Sequence, residues 1–371
     1  MSSITPYLTS KGEKRYRVQY RAPNGKGRTK TGFKTKRLAA AWDAKNTTNM
    51  HDGSWIDPER GKMTVTELKP AFWATKANLE PGTLKAMEDT WRLHVEPVWG
   101  NRKVSTIAKT EVQIWLSENS GQATVYRRAH GILAGILDIA VDELRVQRNV
   151  SRGLMLPKKP TPKHLYLTSG QLLDLVDECN KGHVMILLLA TSGMRWGEMA
   201  GLRVGDIHPE KNRLWLQRAV KWVDRKLHVG ELKGKKNRII AVSSMVMEHL
   251  REVADSRPAG EWLFGDGETP LRPLGPNSFF NRAVKACVAD GRIPQRVTPH
   301  GLRHVAAGLL VSSGANVKVV QRQLGHTSAA MTLDTYTDLF DQDLDEVAAS
   351  IDATLQGVVK MSSGGKIIRA V

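Results

Sequence analysis

A proline-rich segment near the middle of the chain, Arg152–Lys163, most constrains how this sequence can fold. Its residues, RGLMLPKKPTPK, include three prolines and four basic side chains and show no periodicity. Proline lacks a backbone donor and disfavours a helix before it, so such a segment is typical of an extended connection between domains. A chain of 371 residues is also too long for one ordinary domain. The sequence therefore predicts several domains and a linker at residues 151–165, whose Lys158 and Lys159 could lie along phosphates.

The charge balance favours a polyanionic partner. The chain has 55 Lys and Arg against 37 Asp and Glu, a net charge of +18 and a pI near 9.9. Nucleic acid is the first candidate, and an anionic membrane surface is the weaker alternative. No segment reaches the roughly 18 apolar residues that a spanning helix needs, and the longest apolar run, Val184–Ala190, has the length of a buried helix core.

The targeting and cysteine patterns predict a cytoplasmic protein. The N-terminal residues lack the apolar region of a secretion signal. Cys179 and Cys287 have neither CxxC spacing nor a neighbouring ligand cluster, so we expect two reduced thiols.

Residues 1–62 hold half of the net charge, with 14 Lys and Arg against 5 Asp and Glu. The segment RYRVQYR alternates strictly between polar and apolar side chains, which predicts a strand with two different faces. The faces would be Tyr16, Val18 and Tyr20 on one side and Arg15, Arg17 and Arg21 on the other.

A turn and a helix should complete this N-terminal module. Pro23-Asn24-Gly25 predicts a hairpin turn, and Arg28–Phe33 the return strand. Thr35 could cap a helix that runs to about Asn49. Its apolar side would carry Leu38, Ala41 and Trp42. A basic sheet backed by one helix, with Lys34 beside it, suits a nucleic-acid groove; the alternative is a solvated edge hairpin.

Residues 63–150 are predicted to be helical. Thr64-Val-Thr-Glu67 has the spacing of a capping box. Further helices are expected at Thr83–Val95, Lys109–Glu118 and Gln122–Leu144. Four tryptophans in this region favour a packed core over base-stacking platforms: Trp73, Trp91, Trp99 and Trp115.

The C-terminal half contains candidate phosphate-binding residues. Arg195 follows a Ser-Gly break between two helical stretches, where backbone N–H groups also favour anions; the alternative is an ion pair with Glu198 one turn away. Three short strands are predicted at Arg213–Val220, Lys226–Lys233 and Arg238–Ser243.

The last two of these strands would form a hairpin with a basic turn. A lysine at its tip could reach into a minor groove and protonate a leaving oxygen. The alternative is a solvated charge run, and three lysines compete for the role: Lys233, Lys235 and Lys236.

Four more residues follow in order. His300 and Arg303, three apart in HGLRH, would address one phosphate from one helix face. His326 comes next, in Leu324-Gly-His326, and Tyr336 follows ten residues later. A lone tyrosine in a helical stretch is usually a core or surface residue, but a tyrosine nucleophile beside cationic donors can cut and rejoin DNA without metal or ATP.

Together these motifs (TSGxRxxE, HxLRH, LGH, then Tyr) resemble the tyrosine recombinases, or phage-type integrases, over about residues 165–345. Two departures are Val305, where a threonine is common, and the long spacing from His326 to Tyr336. The order of the segments also resembles a three-domain integrase.

The resemblance implies a role for each motif residue. Tyr336 would attack the scissile phosphate and leave a 3′-phosphotyrosine and a free 5′-hydroxyl. Arg195, Arg303 and His326 would contact the non-bridging oxygens. His300 would be the general base or a proton relay for the tyrosine, and Lys233 would be the general acid. Glu198 would orient the site. No cofactor or metal ion is expected.

The resemblance predicts a multidomain α+β chain. Its parts would be an arm-type DNA-binding module with a small sheet and a helix (1–62), an all-α core-binding domain (63–150), the linker (151–165), a mainly α catalytic domain with a small antiparallel sheet (166–350), and a C-terminal tail (351–371).

The predicted function is site-specific recombination by an integrase of a temperate phage or related element, in a bacterial host. The partners would be two double-stranded DNA attachment sites, three further protomers of a homotetramer, and a host DNA-bending protein and directionality factor. The rivals are a type IB topoisomerase, which needs no paired sites, and a non-catalytic DNA-binding regulator, which has no need of Tyr336.

The C-terminal tail carries an apolar stripe at helical spacing: Val347, Ile351, Leu355 and Val358. The resemblance implies that this stripe docks on a neighbouring protomer; the alternative is packing onto its own domain.

Overall fold

The computed structural model describes residues 2–52, 55, 59–160, 165–234, 236–340, 351, 352 and 355. The chain forms two compact units, residues 1–161 and 162–371. Both are helix-rich and contain small antiparallel sheets, so the molecule is a multidomain α+β protein.

The first unit begins with a three-stranded antiparallel sheet in the order β1-β2-β3, made of Ser3–Leu8, Lys14–Arg21 and Gly27–Phe33. The alternation predicted for β2 is confirmed, because Val18 and Tyr20 are buried in a small core. The predicted turn is also present, with Gly25 at a φ of +80°. Strand β1 had no sequence signal.

Helix α1 (Lys36–His51) packs on this sheet and is capped by the Thr35 side chain, as predicted. The predicted apolar side is wrong in part, because Leu38 and Ala41 are exposed. The helix instead buries Ala39 and Asn46, and Trp42 contacts the rings of Tyr20 and Phe33. The sheet therefore covers the helix face that contains Ala39, which is shifted by one residue from the predicted face that contains Leu38.

Helices follow α1 in the first unit. They are α2 (Val65–Ala74), α3 (Pro81–Thr90) with a π-helical continuation (Trp91–Gly100), α4 (Lys109–Glu118) and α5 (Ala123–Asp142). The capping box at Thr64 and Glu67 is confirmed. Trp91, Trp99 and Trp115 are buried in the helical core and Trp73 packs against it, as expected for structural tryptophans.

The second unit is mainly helical. Its helices are α6 (Ser169–Glu178), α7 (His183–Ser192), α8 (Trp196–Ala200), α9 (Ser244–Ala254), α10 (Phe279–Ala289), α11 (Leu302–Ser312), α12 (Val317–Leu324) and α13 (Ala329–Phe340). The apolar run predicted as a helix core lies in α7, which is buried nearly throughout. Short 3-10 turns occur at Arg60–Lys62, Val104–Thr106, Ser120–Gln122, Asn180–Gly182, Val204–Asp206 and Pro209–Lys211.

The strands of the second unit form two sheets. One has the order β4-β5-β8, and the other is a hairpin of β6 and β7. The strands are β4 (Ile207–His208), β5 (Arg213–Leu216), β6 (Ala219–Val223), β7 (Lys226–Gly230) and β8 (Arg238–Ala241). The predicted hairpin between the last two strands is wrong. Strand β7 pairs with β6, and β8 pairs with β5, so the basic segment connects two sheets.

The linker and the tail are described in part. Residues 154–160 have no regular secondary structure, and Leu154 and Leu156 pack against the helical core of the first unit. Residues 161–164, 341–350, 353, 354 and 356–371 lie outside the described residues, and with them Val347 and Val358. Ile351 and Leu355 are helical and exposed.

Both cysteines are buried free thiols, and burial raises the pKa of each. Within the described part of the chain, no helix is long and apolar enough to cross a membrane.

Candidate active site

Arg195 stands at the start of helix α8, as predicted. Helix α7 ends at Ser192, and Gly193 reverses the chain at a φ of +69°. A Cβ atom at Gly193 would lie 2.2 Å from Leu324 Cδ2, so only glycine fits this turn. The turn directs Arg195, whose side chain is 26% exposed, to the N-terminal end of α8.

A buried carboxylate, Glu198, lies between two guanidinium groups. It accepts hydrogen bonds from the Arg195 backbone nitrogen at 2.9 Å and from Arg195 Nη1 at 2.8 Å. Arg238 donates from Nη1 at 3.1 Å and from Nη2 at 2.7 Å. Burial alone would raise the pKa of Glu198, but the hydrogen bonds and charges of Arg238 and Arg195 hold that pKa below its usual value. The predicted ion pair therefore exists, and Arg195 still keeps an exposed portion.

Arg303 lies next to this pair. It is 4% exposed, and its Nη1 donates to the Gly193 carbonyl at 2.7 Å. Burial lowers the pKa of Arg303 to about 10, and the nearby positive charge of Arg195 acts in the same direction. Nη2 of Arg303 is buried and has no hydrogen-bond partner among the described residues, so it can donate to a phosphate oxygen.

The predicted helical pairing of His300 with Arg303 is wrong. Helix α11 begins at Leu302, and His300 lies in the turn before it, where its carbonyl accepts from the Arg303 backbone nitrogen at 3.2 Å. Thr298 caps this turn by accepting from the Gly301 nitrogen at 3.0 Å, which starts the helix two residues after His300. His300 is therefore exposed, whereas Arg303 is buried.

His326 follows helix α12, after Gly325 at a φ of +70°. Its Nδ1 and the hydroxyl of the buried Thr332 lie 2.9 Å apart. Burial, followed by the positive charges of Arg303, Arg195 and Arg238, lowers the pKa of His326 to about 4. The imidazole is therefore neutral at physiological pH and carries one N–H.

Tyr336 packs against two histidines. Its ring is stacked on His326, with centroids 6.1 Å apart, and contacts the His304 ring at 5.7 Å. The His304 ring also contacts His300 at 5.7 Å, so His304 lies between the predicted base and the predicted nucleophile. Tyr336 is 1% exposed, and burial raises the pKa of its phenol to about 12 although Arg303 opposes the shift. Cleavage chemistry would therefore require a base and a movement that exposes the phenol.

The predicted general acid lies across a cavity from His326. This cavity, of about 730 Å³, is lined by Lys233, Lys236, Arg238, Gln321 and His326 among others. Lys233 and Lys236 are both exposed on the segment between β7 and β8. Lys235 lies outside the described residues. The cavity thus joins two of the candidate lysines to His326, and it leaves the choice between those two open.

The basic residues predicted to bind DNA elsewhere belong to the first unit. Arg17 donates from Nε to the Thr5 hydroxyl at 3.0 Å, and Arg15 pairs with Glu13. Arg21 and Lys34 are exposed, and so are Lys158 and Lys159 in the segment 154–160. These positions are compatible with phosphate contacts, and they stay a prediction.

Sequence comparison identifies the family. Residues 166–343 match the model of the phage integrase family. A tyrosine recombinase XerC-like protein of Caldanaerobacter subterraneus is 26% identical over 91% of this chain and 95% of its own length. Residues 166–343 therefore form a domain of the phage integrase family, the tyrosine recombinases. The integrase of Escherichia phage P2 is a further relative, 26% identical over 86% of this chain and 87% of the phage protein.

Solved structures share the recombinase fold. The Tn1549 transposon integrase in complex with transposon right end DNA aligns with a TM-score of 0.65 and 19% identity, covering 77% of this chain and 100% of that one. A lambda integrase tetramer bound to a Holliday junction aligns with a TM-score of 0.53 and 15% identity, covering 87% and 96%. At such low sequence identities, these alignments show that the folds are alike.

Sequence reasoning missed several residues around this recombinase site. Arg238 was part of a basic run, and only its place at the start of a strand set it apart. Thr332 lies four residues before Tyr336, the spacing that places two side chains on one helix face. His304 directly follows Arg303, and neither its sequence position nor its residue type indicated contact with Tyr336.

Proposed function

We propose that this protein is a site-specific recombinase that cleaves and rejoins DNA through a covalent bond to Tyr336. The observation that carries the proposal is that His326 stacks on the Tyr336 ring while the charges of Arg303 and Arg195 both act on His326, although these residues come from separate segments. Three guanidinium groups lie in this region with one buried carboxylate, Glu198, so the site keeps a positive charge suited to a phosphodiester.

The chemistry follows from the donors. The Tyr336 oxygen attacks phosphorus, its proton passes to a base, and the bond from phosphorus to the 5′-oxygen breaks. A 3′-phosphotyrosyl ester forms, and the 5′-oxygen takes a proton from Lys233. Arg195 and Arg303 neutralise the non-bridging oxygens, where charge accumulates in the transition state. The ester conserves the bond energy, so attack by a 5′-hydroxyl of a second strand rejoins the DNA.

His300 and His304 form a path for the phenolic proton. His300 is exposed, and the His304 ring contacts both His300 and Tyr336. We assign His300 as the base that exchanges the proton with solvent. Burial and the raised pKa of the phenol favour transfer of its proton to a nearby base over direct loss to water.

The assembly is proposed from the fold. Four protomers would bridge two attachment sites and exchange strands through a Holliday junction. Residues 1–62 would form the arm-type module, residues 63–150 the core-binding domain, residues 151–165 the linker and residues 166–350 the catalytic domain. The tail, residues 351–371, would dock on a neighbouring protomer, which fits the exposure of Ile351 and Leu355. A host DNA-bending protein and a directionality factor would assist.

A nicked suicide duplex tests the function. The nick lets the short 5′-hydroxyl fragment diffuse away, so cleavage traps a covalent protein–DNA adduct that denaturing electrophoresis detects. We expect an adduct with the wild type and none with Tyr336→Phe. An absence of adduct on every attachment-site duplex that the protein binds would indicate a non-catalytic binder. Adduct together with relaxation of supercoiled DNA, and without synapsis of two duplexes, would indicate a topoisomerase.

A further inference from the structure

Arg238 connects parts of the site that the chain places far apart. It is the first residue of β8, five residues after Lys233, and its side chain is 14% exposed. Its guanidinium holds Glu198 through two parallel hydrogen bonds, of 3.1 and 2.7 Å. Nη2 also donates to the Leu324 carbonyl at 3.4 Å, two residues before His326. One side chain thus contacts the partner of Arg195 and the segment that carries His326.

The backbone before His326 is shaped to accept this guanidinium. A Cβ atom on Gly325 would lie 2.7 Å from both Cζ and Nε of Arg238, so the guanidinium lies directly against the glycine. Gln323 ties the same helix end to the same strand, because its amide accepts from the Ala241 nitrogen at 3.0 Å and donates to the Ala241 carbonyl at 2.7 Å. The position of His326 is therefore fixed relative to β8 by two side chains, Gln323 and Arg238.

The charge arrangement gives Arg238 a second effect. Glu198 is 1% exposed, and a buried carboxylate needs nearby positive charge. Without Arg238, Arg195 would be the only cation among the described residues that hydrogen-bonds to Glu198, and the carboxylate would hold the Arg195 guanidinium more tightly. With Arg238 present, the group of two arginines and one glutamate has a net positive charge that Arg195 can direct to a phosphate oxygen.

We propose that Arg238 is a positioning residue that neutralises Glu198 and braces the Leu324–His326 segment, so that Arg195 and His326 meet the same scissile phosphate. This inference rests on the proposed function. It assigns Arg238 no contact with DNA. Its effect on the reaction passes through Arg195 and His326.

The test compares Arg238→Met and Arg238→Lys with the wild type in single-turnover cleavage of the suicide duplex. Two substrates are used, an ordinary scissile phosphate and a methylphosphonate, in which a methyl group replaces one non-bridging oxygen and removes the charge. We expect Arg238→Met to slow cleavage of the phosphate by about 100-fold, as for the loss of a transition-state donor. The loss on the methylphosphonate should be at least about tenfold smaller, because less charge must be neutralised. Arg238→Lys should recover part of the rate, since it keeps the charge and loses the paired geometry.

A matched control is available in the same unit. Arg218 donates to the buried Asp206 carboxylate at 2.6 Å and to the Gly201 carbonyl at 3.2 Å, and neither partner is a predicted catalytic residue. Arg218→Met should destabilise the protein to a similar extent and should slow cleavage of both substrates equally, if at all. If Arg238→Met does not fold, Arg238→Lys against Arg218→Lys makes the same comparison.

The outcomes separate the two proposals. Equal losses on phosphate and methylphosphonate for the Arg238 variants would overturn the positioning role and leave a structural ion pair. Loss no greater than that of Arg218→Met would do the same. Failure of the proposed function is visible independently, as absence of adduct with the wild-type protein on the ordinary substrate.

Discussion

The contact between His326 and Thr332 leads to a specific prediction about a buried hydroxyl. A neutral imidazole has one N–H, and the nitrogen that carries it depends on the partner of the other nitrogen. If the Thr332 hydroxyl donates to Nδ1, the proton of His326 must be on Nε2, where it can be donated to a phosphate oxygen. Thr332→Val removes this constraint and keeps the shape of the side chain.

The size of the effect follows from one hydrogen bond. A buried hydrogen bond of this kind contributes about 0.5–1.5 kcal/mol, and a difference of about 1.4 kcal/mol is about tenfold in an equilibrium or a rate. Thr332→Val should therefore slow adduct formation by up to about tenfold through the tautomer alone. If the imidazole ring also rotates, the largest expected slowing of adduct formation is that of losing the donor completely, about 10² to 10³ in rate.

Single-turnover cleavage of the suicide duplex measures this effect. Thr332→Ser keeps the hydroxyl and should stay within about threefold of the wild type. The control is Thr335→Val on the same helix, because the Thr335 hydroxyl donates to the Met331 carbonyl at 2.7 Å and is directed at the backbone. It should change the cleavage rate by less than about twofold, as expected for a local backbone contact.

A double variant decides whether the effect passes through His326. In the His326→Ala background there is no imidazole to orient, so Thr332→Val should cause no further loss of rate. An equal loss in both backgrounds would refute the reasoning, because Thr332 would then act on Tyr336 through the helix that both residues share.

Four further predictions follow from the site. Tyr336→Phe should abolish the covalent adduct while the Kd for DNA changes by less than about threefold in a gel-shift titration, because only the nucleophilic oxygen is lost. Arg303→Ala should slow adduct formation by about 10³; a loss under about tenfold would remove it from the site. Lys233→Ala should be rescued by a 5′-bridging phosphorothiolate, whose leaving group needs little protonation, and the same rescue of Lys236→Ala instead would transfer the acid role. The lowered pKa of His326, about 4 against 6.5, favours the neutral form in the folded state, so its stability contribution is present above about pH 6.5 and is lost as the pH falls towards 4. Denaturant titrations at about pH 7 and about pH 5 should show a larger loss of stability for the wild type than for His326→Gln, and equal losses would contradict the assignment.

The sequence predicted those parts of the fold that depend on local chemistry. The strand from Arg15 to Arg21, the cap at Thr35 and the capping box at Thr64 and Glu67 each rest on side-chain alternation or a capping residue within a few positions. The buried run in helix α7 was equally clear, because a helix apolar on all sides must be enclosed.

Strand pairing was not predictable in the same way. The segment Lys226–Arg238 has the pattern of a hairpin, but β8 pairs with β5, which lies more than 20 residues earlier in the sequence. Leu214, Leu216 and Ile240 are all buried in the central core, so burial of these side chains between β5 and the helices outweighs the local turn. Such long-range pairing leaves no signal within the segment itself.

The residues around the site were visible in the sequence to different degrees. The spacing of the motifs indicated Arg195, Arg303 and Tyr336, whereas their supporting partners came from other elements. Arg238 acts across 40 residues of sequence on Glu198 and across 86 on Leu324. A sequence pattern can identify a reactive group, but the hydrogen bonds that orient it depend on which elements meet.

Two glycines show how the reactive residues and their supports are built together. Gly193 and Gly325 both adopt positive φ, and they precede Arg195 and His326 by two residues and one residue respectively. A Cβ on Gly193 would contact Leu324, which directly precedes Gly325, and a Cβ on Gly325 would contact Arg238, which binds Glu198, the partner of Arg195. The Gly193 carbonyl also accepts the hydrogen bond of Arg303. The two turns therefore set the directions of Arg195, Arg303 and His326 jointly, because a shift of either turn moves the packing surface of the other. The order of the motifs along the chain reflects this constraint: the short TSG and LGH sequences are the places where the backbone turns so that donors far apart in the sequence lie together.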